Sequence, residues 1–288
     1  MNERTLVVVR GAGDLATGTI TKLIKSGYAV IALETAAPAA IRRTVAFSEA
    51  VYTEVQQVED VGGVLAQTPQ DAYGLAQKGI PAILVDPEGK SISRLHPAAV
   101  IDAILAKRNL GTNREMAPFT VALGPGFTAG KDVDVVIETK RGHDLGRLIY
   151  VGEAAVNTGV PGVIAGYGAE RVIHAPAAGV LRACAQIADT VEKGAVIARI
   201  EPEQWAGVFG TEGYPHTLEI PQAVPVCASL TGLLRGLIRD GYPVTKGMKI
   251  ADIDPRAEEH DNCFKISDKA RCIAGGVLEA LLGAGVRP

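Results

Sequence analysis

The chain has 288 residues, a net charge of −3, 47% apolar residues and 5% aromatics. This length suits two domains, no stretch is basic enough to mark a nucleic-acid partner, and no apolar run approaches the roughly 20 residues that span a bilayer. The polar start lacks the charged and apolar regions of a secretory leader, and the four cysteines form no dense framework, so a cytoplasmic protein with reduced thiols is expected.

Residues 5–10 (TLVVVR) read as a buried strand, continuous rather than alternating, as parallel sheets require. A glycine turn, Gly11-Ala12-Gly13-Asp14-Leu15-Ala16, leads into a helix that ends near Ser26-Gly27, and residues 28–33 form a second strand ending at Glu34. Further strands are expected at 51–58 and 81–86, and helices at 69–78 and 97–108. This βαβ grammar predicts a Rossmann-like, doubly wound α/β domain over residues 1–110.

Residues 109–117 (NLGTNREMA) are polar and aperiodic and read as a linker. A β/loop region follows at 118–170, with strands at 120–123 and 133–138 around the turn Gly124-Pro125-Gly126. Residues 178–200 and 231–253 repeat each other, 9 of 23 aligned positions being identical without a gap. Each copy is strand, turn, valine, Lys-Gly turn and strand, and a unit this small must pack on its partner to bury an apolar face. The pattern is similar to the paired half-motifs of a biotinyl or lipoyl carrier, predicting a barrel-sandwich hybrid over 171–254. The connection at 201–224 contains no lysine, which removes the swinging-arm role. A C-terminal segment, 255–288, closes with a helix at 267–282.

Three constellations carry chemistry. Gly11-x-Gly13-x-x-Ala16 sits between strand and helix, where glycines permit close backbone approach and the helix N-terminus offers free amides to a phosphate. Glu34, 21 residues after Gly13, stands where an acidic side chain takes a ribose hydroxyl pair. Asp14 at the helix start opposes a pyrophosphate, and Arg10 is available to pair with Asp14 or a ligand anion. The turn therefore fits a nucleotide, another phosphorylated ligand such as a pterin, or tight packing alone. The second constellation is 138–147 (ETKRGHDLGR), in which Arg141, His143 and Arg147 could clamp a phosphate and Glu138 could orient an arginine; a solvated charged loop is the plain alternative. The third, 258–263 (EEHDNC), matches no metal-ligand spacing, and Cys263 reads as a structural thiol ahead of sulfur or selenium transfer. Cys184 and Cys227 are expected in the core of the repeat.

Several long blocks carry a resemblance: residues 7–18 (VVVRGAGDLATG), 34–52 (ETAAPAAIRRTVAFSEAVY), 121–150 (VALGPGFTAGKDVDVVIETKRGHDLGRLIY), 154–162 (AAVNTGVPG), 248–256 (MKIADIDPR) and 263–282 (CFKISDKARCIAGGVLEALL). They resemble accessory proteins of selenium-dependent molybdenum hydroxylase systems, the YqeB family. The resemblance implies a cytosolic maturation factor that helps supply a modified molybdopterin cofactor to an apo-hydroxylase; a homo-oligomer is a separate expectation for its partners. On that reading Gly11, Gly13 and Asp14 shape a phosphate site, with Arg10, Arg141, His143 and Arg147 as anion partners. The rival is an NAD(P)-dependent oxidoreductase with Glu34 on the ribose; a third reading is an interaction scaffold whose first domain stays empty.

Overall fold

The computed structural model describes residues 3–157, 159, 166–202 and 223–288. The chain divides into two compact units, one of residues 1–40, 45–159 and 264–288, the other of 41–44 and 160–263.

The first unit is organised by a nine-stranded sheet. β1 (Leu6–Arg10), whose residues are all buried, lies at its centre. It is followed by α1 (Asp14–Lys25), β2 (Ala29–Glu34), the short α2 (Ala50–Thr53), β3 (Val55–Val58), β4 (Val61–Ala66), α3 (Pro69–Gln77) and β5 (Ala82–Val85). Then come α4 (Ile92–Leu95), β6 (Ala99–Asp102), β7 (Phe119–Leu123), β8 (Thr128–Ala129), β9 (Val135–Ile137), β10 (Leu148–Ile149) and β11 (Gly152–Glu153). The order across the sheet is β10-β9-β7-β6-β1-β2-β5-β4-β3. β4 through β9 run parallel, and β3 and β10 close the two edges antiparallel. Val7, Val9, Val30, Ala32, Ile101, Leu123 and Ile137 bury one face of the sheet under α1 and the last helix, while Leu6, Val8, Ile31, Leu33 and Val100 pack towards α3.

This is not the Rossmann-like domain plus barrel-sandwich hybrid that the sequence suggests. The sheet is mixed, and it runs on past residue 110 through β7, β9 and β10. No α-helix joins β6 to β7 or β7 to β9; the first connection holds only a single 3₁₀ turn, Arg114–Met116. The helix expected at 97–108 is instead strand β6, and left-handed Leu105 (φ 60°) and Lys107 (φ 61°) bar a helix beyond it. The face those missing crossovers leave bare is covered by the final helix, whose Ile273, Val277 and Leu281 share a core with Ile20 and Leu23 of α1.

The second unit holds β12 (Val172–His174), β13 (Gly179–Ala183), β14 (Thr190–Val191), β15 (Val196–Glu201), β16 (Val224–Cys227), β17 (Gly232–Leu237), β18 (Pro243–Val244) and β19 (Lys249–Asp254). They form two antiparallel sheets of four strands, β12-β19-β17-β14 and β16-β15-β13-β18. The repeat copies exchange strands: β14 of the first pairs with β17 of the second, and β18 of the second pairs with β13 of the first. Gly179 and Gly232, equivalent in the repeat, are kept as glycine because a Cβ on either would overlap a carbonyl oxygen, of Glu201 and Asp254 respectively. The paired arginines also correspond: Arg182 binds Glu201 at 2.9 Å, and Arg235 binds Asp252. Cys184 and Cys227 lie on the exposed side rather than in the core. Most of the lysine-free connection at 201–224 lies outside the described residues, as does Thr158.

Candidate functional site

The last helix, α5 (Asp268–Gly283), is started by Ser267, whose hydroxyl accepts from the Ala270 amide at 3.1 Å. It lies alongside α1 in the same direction. Near the two starts, a Cβ on Gly18 would fall 2.8 Å from the Cβ of Ala270; beyond the two ends, the Tyr28 hydroxyl donates to the Val286 carbonyl at 2.7 Å. Two helix N-termini therefore stand side by side beyond the carboxyl ends of the parallel strands, where α/β sheets commonly take ligands.

Only one of them is capped. α1 begins after Gly13, which provides no side-chain cap, and a Cβ on Gly13 would meet nothing within 4 Å. The preceding Gly11 has φ +96°, and a Cβ there would lie 3.0 Å from the Ala103 carbonyl, so the backbone route into α1 needs glycine. Asp14 opens the helix. Beside it stands Lys269, in the first turn of α5. Burial lowers the pKa of its ammonium, and the charge of Arg141 lowers it further, against the raising influence of Asp14, Glu138 and Asp268.

Each residue singled out in the sequence now has a place. Glu34 does turn towards the glycine turn, but its carboxylate accepts from the amides of Ala12 (2.9 Å) and Thr35 (2.7 Å). In that role it fastens the turn to β2. Arg10 points to the α3 side of the sheet and is 2% exposed. It donates to Thr112 Oγ1 (2.5 Å) and the Pro87 carbonyl (3.0 Å), and Thr112 in turn donates to buried Asp102 (2.5 Å). Burial pushes the Asp102 carboxyl up in pKa, opposed by the Thr112 hydroxyl, the Ile104 amide and Arg10. Arg10 thus ties the loop at 104–112 to the carboxyl end of the central strand β1.

The basic loop is divided. Glu138 orients no arginine: its carboxylate accepts from the amides of Thr139, Lys140 and Ala155, each at 2.7 Å. Arg141 makes a two-pronged pair with Asp268 (2.7 and 3.0 Å), and the hydrogen bond to that carboxylate raises its pKa. Arg147 pairs with Asp144 at 2.8 Å, and with exposed His143 it lines a depression away from the turn. Gly11, Gly13, Asp14 and Glu34 are gathered at one place, then, with Arg141 at its border and Arg10, His143 and Arg147 elsewhere. Lys269 and Asp268 were invisible in the linear pattern, because the only signal, a Ser-Asp-Lys helix start, lies at the far end of the chain.

Cys263, in the second unit, is 1% exposed, and burial raises its thiol pKa. That environment opposes the thiolate needed for sulfur or selenium transfer. Among the described residues no three His, Cys, Asp or Glu side chains stand together as a metal site, and no helix is long and apolar enough to cross a membrane.

No protein-family model matches the chain. Among solved structures it resembles the ectoine utilisation protein EutE (DoeB) from Ruegeria pomeroyi in its product-bound form, with 12% identity, a TM-score of 0.26, and coverage of 87% of this chain and 85% of that one. It also resembles an aspartoacylase family protein from Mesorhizobium loti, with 13% identity, a TM-score of 0.28, and coverage of 88% and 85%. Overlap this loose carries no argument about activity. Among curated proteins, the uncharacterised YqeB of Escherichia coli (strain K12) is 49% identical over 277 residues, which are 96% of this chain and 47% of that protein. The chain is a relative of YqeB and spans about half the length of that protein.

Proposed function

We propose that the chain is a cytoplasmic accessory factor of a molybdenum hydroxylase system, and that it holds a phosphorylated ligand at the open first turn of α1. The ligand is molybdopterin cofactor or its dinucleotide form, handed on to the apo-hydroxylase. The observation that carries the reading is the uncapped helix start at Gly13 with Lys269 beside it. A Cβ on Gly13 would meet open space there, and the partial positive charge of the helix end favours an anion. The resemblance of the long sequence blocks to hydroxylase accessory proteins supplies the pathway.

The residues present fit the phosphate end of such a cofactor. Gly13 leaves a cradle that a side chain would fill, Lys269 supplies a cation whose burial a bound anion would compensate, and Arg141 holds Asp268 neutralised at the border. Asp14 is the opposing charge and keeps binding modest, which suits a protein that must release its cargo. When bound, the cofactor supplies molybdenum redox chemistry, and that belongs to the hydroxylase. This chain's residues bind, orient and release.

Titration calorimetry with molybdopterin dinucleotide and with NAD tests this. Gly13→Val is compatible with the extended backbone at φ −69°, ψ −174°, so the fold is retained while the cradle is filled. Lys269→Met removes the cation without leaving a buried charge. Each should weaken cofactor binding by about ten-fold or more, the scale of one hydrogen bond to a charged group. In cells each should lower the molybdenum content of the partner hydroxylase. Unchanged affinity in a folded Gly13→Val protein would show that the turn is packing only.

A further inference from the structure

The distal half of the basic loop, with β10 and α5, walls an open depression of about 470 Å³ lined by His143, Leu145, Arg147, Leu148, Tyr150 and Glu279. The walls are braced. The Glu138 carbonyl accepts from the Gly146 amide and the Glu138 amide donates to the Arg147 carbonyl, both at 2.9 Å, so the loop is closed at its base. The Cys272 thiol of α5 meets the Leu145 carbonyl at 3.2 Å, and a Cβ on Gly276 would overlap the Gly146 carbonyl oxygen, so helix and loop are seated without slack.

The side chains around this frame offer three kinds of contact. Tyr150 is 58% exposed and presents a ring to which a planar group can stack. Arg147, paired with Asp144, and His143 are the donors of the lining, and a guanidinium fork suits phosphate. Glu279, on α5, is an acceptor-only carboxylate that makes no ion pair among the described residues. A carboxylate beside an aromatic face fits a ring edge with two adjacent N–H donors, as in the amino-oxo-pyrimidine edge of guanine. We propose that this depression is a second ligand site, distinct from the glycine turn, for a planar ring with that edge and a phosphate: Glu279 takes the paired N–H groups, Tyr150 stacks on the ring, and Arg147 and His143 meet the phosphate. The site stands on its own lining residues and does not depend on the reading of the glycine turn.

Guanine nucleotides and phosphorylated pterins share this edge, so GMP and neopterin monophosphate are the probes. Titration of the full chain, followed by amide and side-chain NMR shifts, should show saturable binding of at least one, with shifts centred on Tyr150 and Glu279. AMP, which lacks the N–H pair, should bind about ten-fold more weakly than GMP. Glu279→Gln should erase that preference, Arg147→Ala should weaken GMP while leaving guanosine unaffected, and Tyr150→Ala should weaken both. The tighter of the two probes identifies the source. Failure of both to saturate, equal affinity for GMP and AMP, or shifts centred on Gly13 would overturn the proposal.

Discussion

Two helical glycines give a sharp test of the parallel seating of α1 and α5. Gly275, in the middle of α5, has nothing within 4 Å of where a Cβ would stand, whereas a Cβ on Gly18 of α1 would lie 2.8 Å from the Ala270 Cβ and 2.9 Å from its carbonyl oxygen. In a helix interior Gly→Ala gains about 0.8–1 kcal/mol from backbone entropy. Gly275→Ala should realise most of that gain. Gly18→Ala receives the same gain but must push apart two helices, one of the opposing atoms being backbone, and overpacking of this kind costs about 1–3 kcal/mol. The two variants should therefore differ by about 1–3 kcal/mol, with Gly275→Ala the more stable, although the chemical change is the same. In thermal unfolding of a unit this size each kcal/mol moves the midpoint by about 2–4 °C. Urea midpoints with unchanged slope, and hydrogen exchange of α5 amides, would report the difference. If Gly18→Ala proves as stabilising as Gly275→Ala, the helices are not in contact at their starts, and the site built from Gly13 and Lys269 loses its frame.

Two further outcomes follow from buried charge. Arg10→Ala should destabilise the first unit by about 3–5 kcal/mol, because Asp102, 2% exposed, loses its buried cation; a urea midpoint close to that of the unaltered chain would sink this account of the Arg10–Thr112–Asp102 network. In the second unit, burial presses the Asp254 carboxyl upward, but hydrogen bonds from the Arg256 side chain and amide and the charges of Arg256 and Arg235 outweigh it, so its pKa is lowered. A depressed folded-state pKa gives stability that is complete above the unfolded value near 4 and lost as pH falls through the folded one. Asp254→Asn should therefore flatten the acid limb of a stability–pH profile below about pH 4, and a profile with an unaltered acid limb would count against the assignment.

The parts of the fold that could be read in advance were those with local grammar. The glycine turn after β1, Glu34 at the end of β2, α3 behind Pro69 and α5 behind Ser267 each carry their own start or stop residue. The repeat was legible because identical residues serve identical needs, as at Gly179 and Gly232. β6 misled because the residues around it have helix-like apolar spacing, while its actual conformation is set by burial between β1 and β7. β4 was missed because Gly62 and Gly63 weaken any strand signal; Gly63 is required since a Cβ would press on Phe47 and Ile83. The site was half legible: the turn was in plain view, but Lys269 reaches it only through helix packing that no local pattern encodes. The density of charge at 138–147 suggested one anion clamp, and the structure instead spends Glu138 on backbone amides and Arg141 on Asp268.

The order in which the chain is made has a bearing on when that turn becomes competent. The second unit is an almost contiguous insertion, residues 160–263 with only 41–44 from elsewhere, while the first unit needs residues 264–288 to finish. During synthesis the later-born unit can therefore close while the earlier one still lacks α5 over its apolar face. Ala16, Ile20 and Leu23 of α1 must wait for Ile273, Val277 and Leu281, leaving a period in which a nascent chain displays a greasy, half-built surface. A released chain truncated after residue 263 should carry a folded insertion and an unfinished first unit, and chaperone capture would concentrate on the latter. The neighbouring starts of α1 and α5 come together only once residues 264–288 have been made.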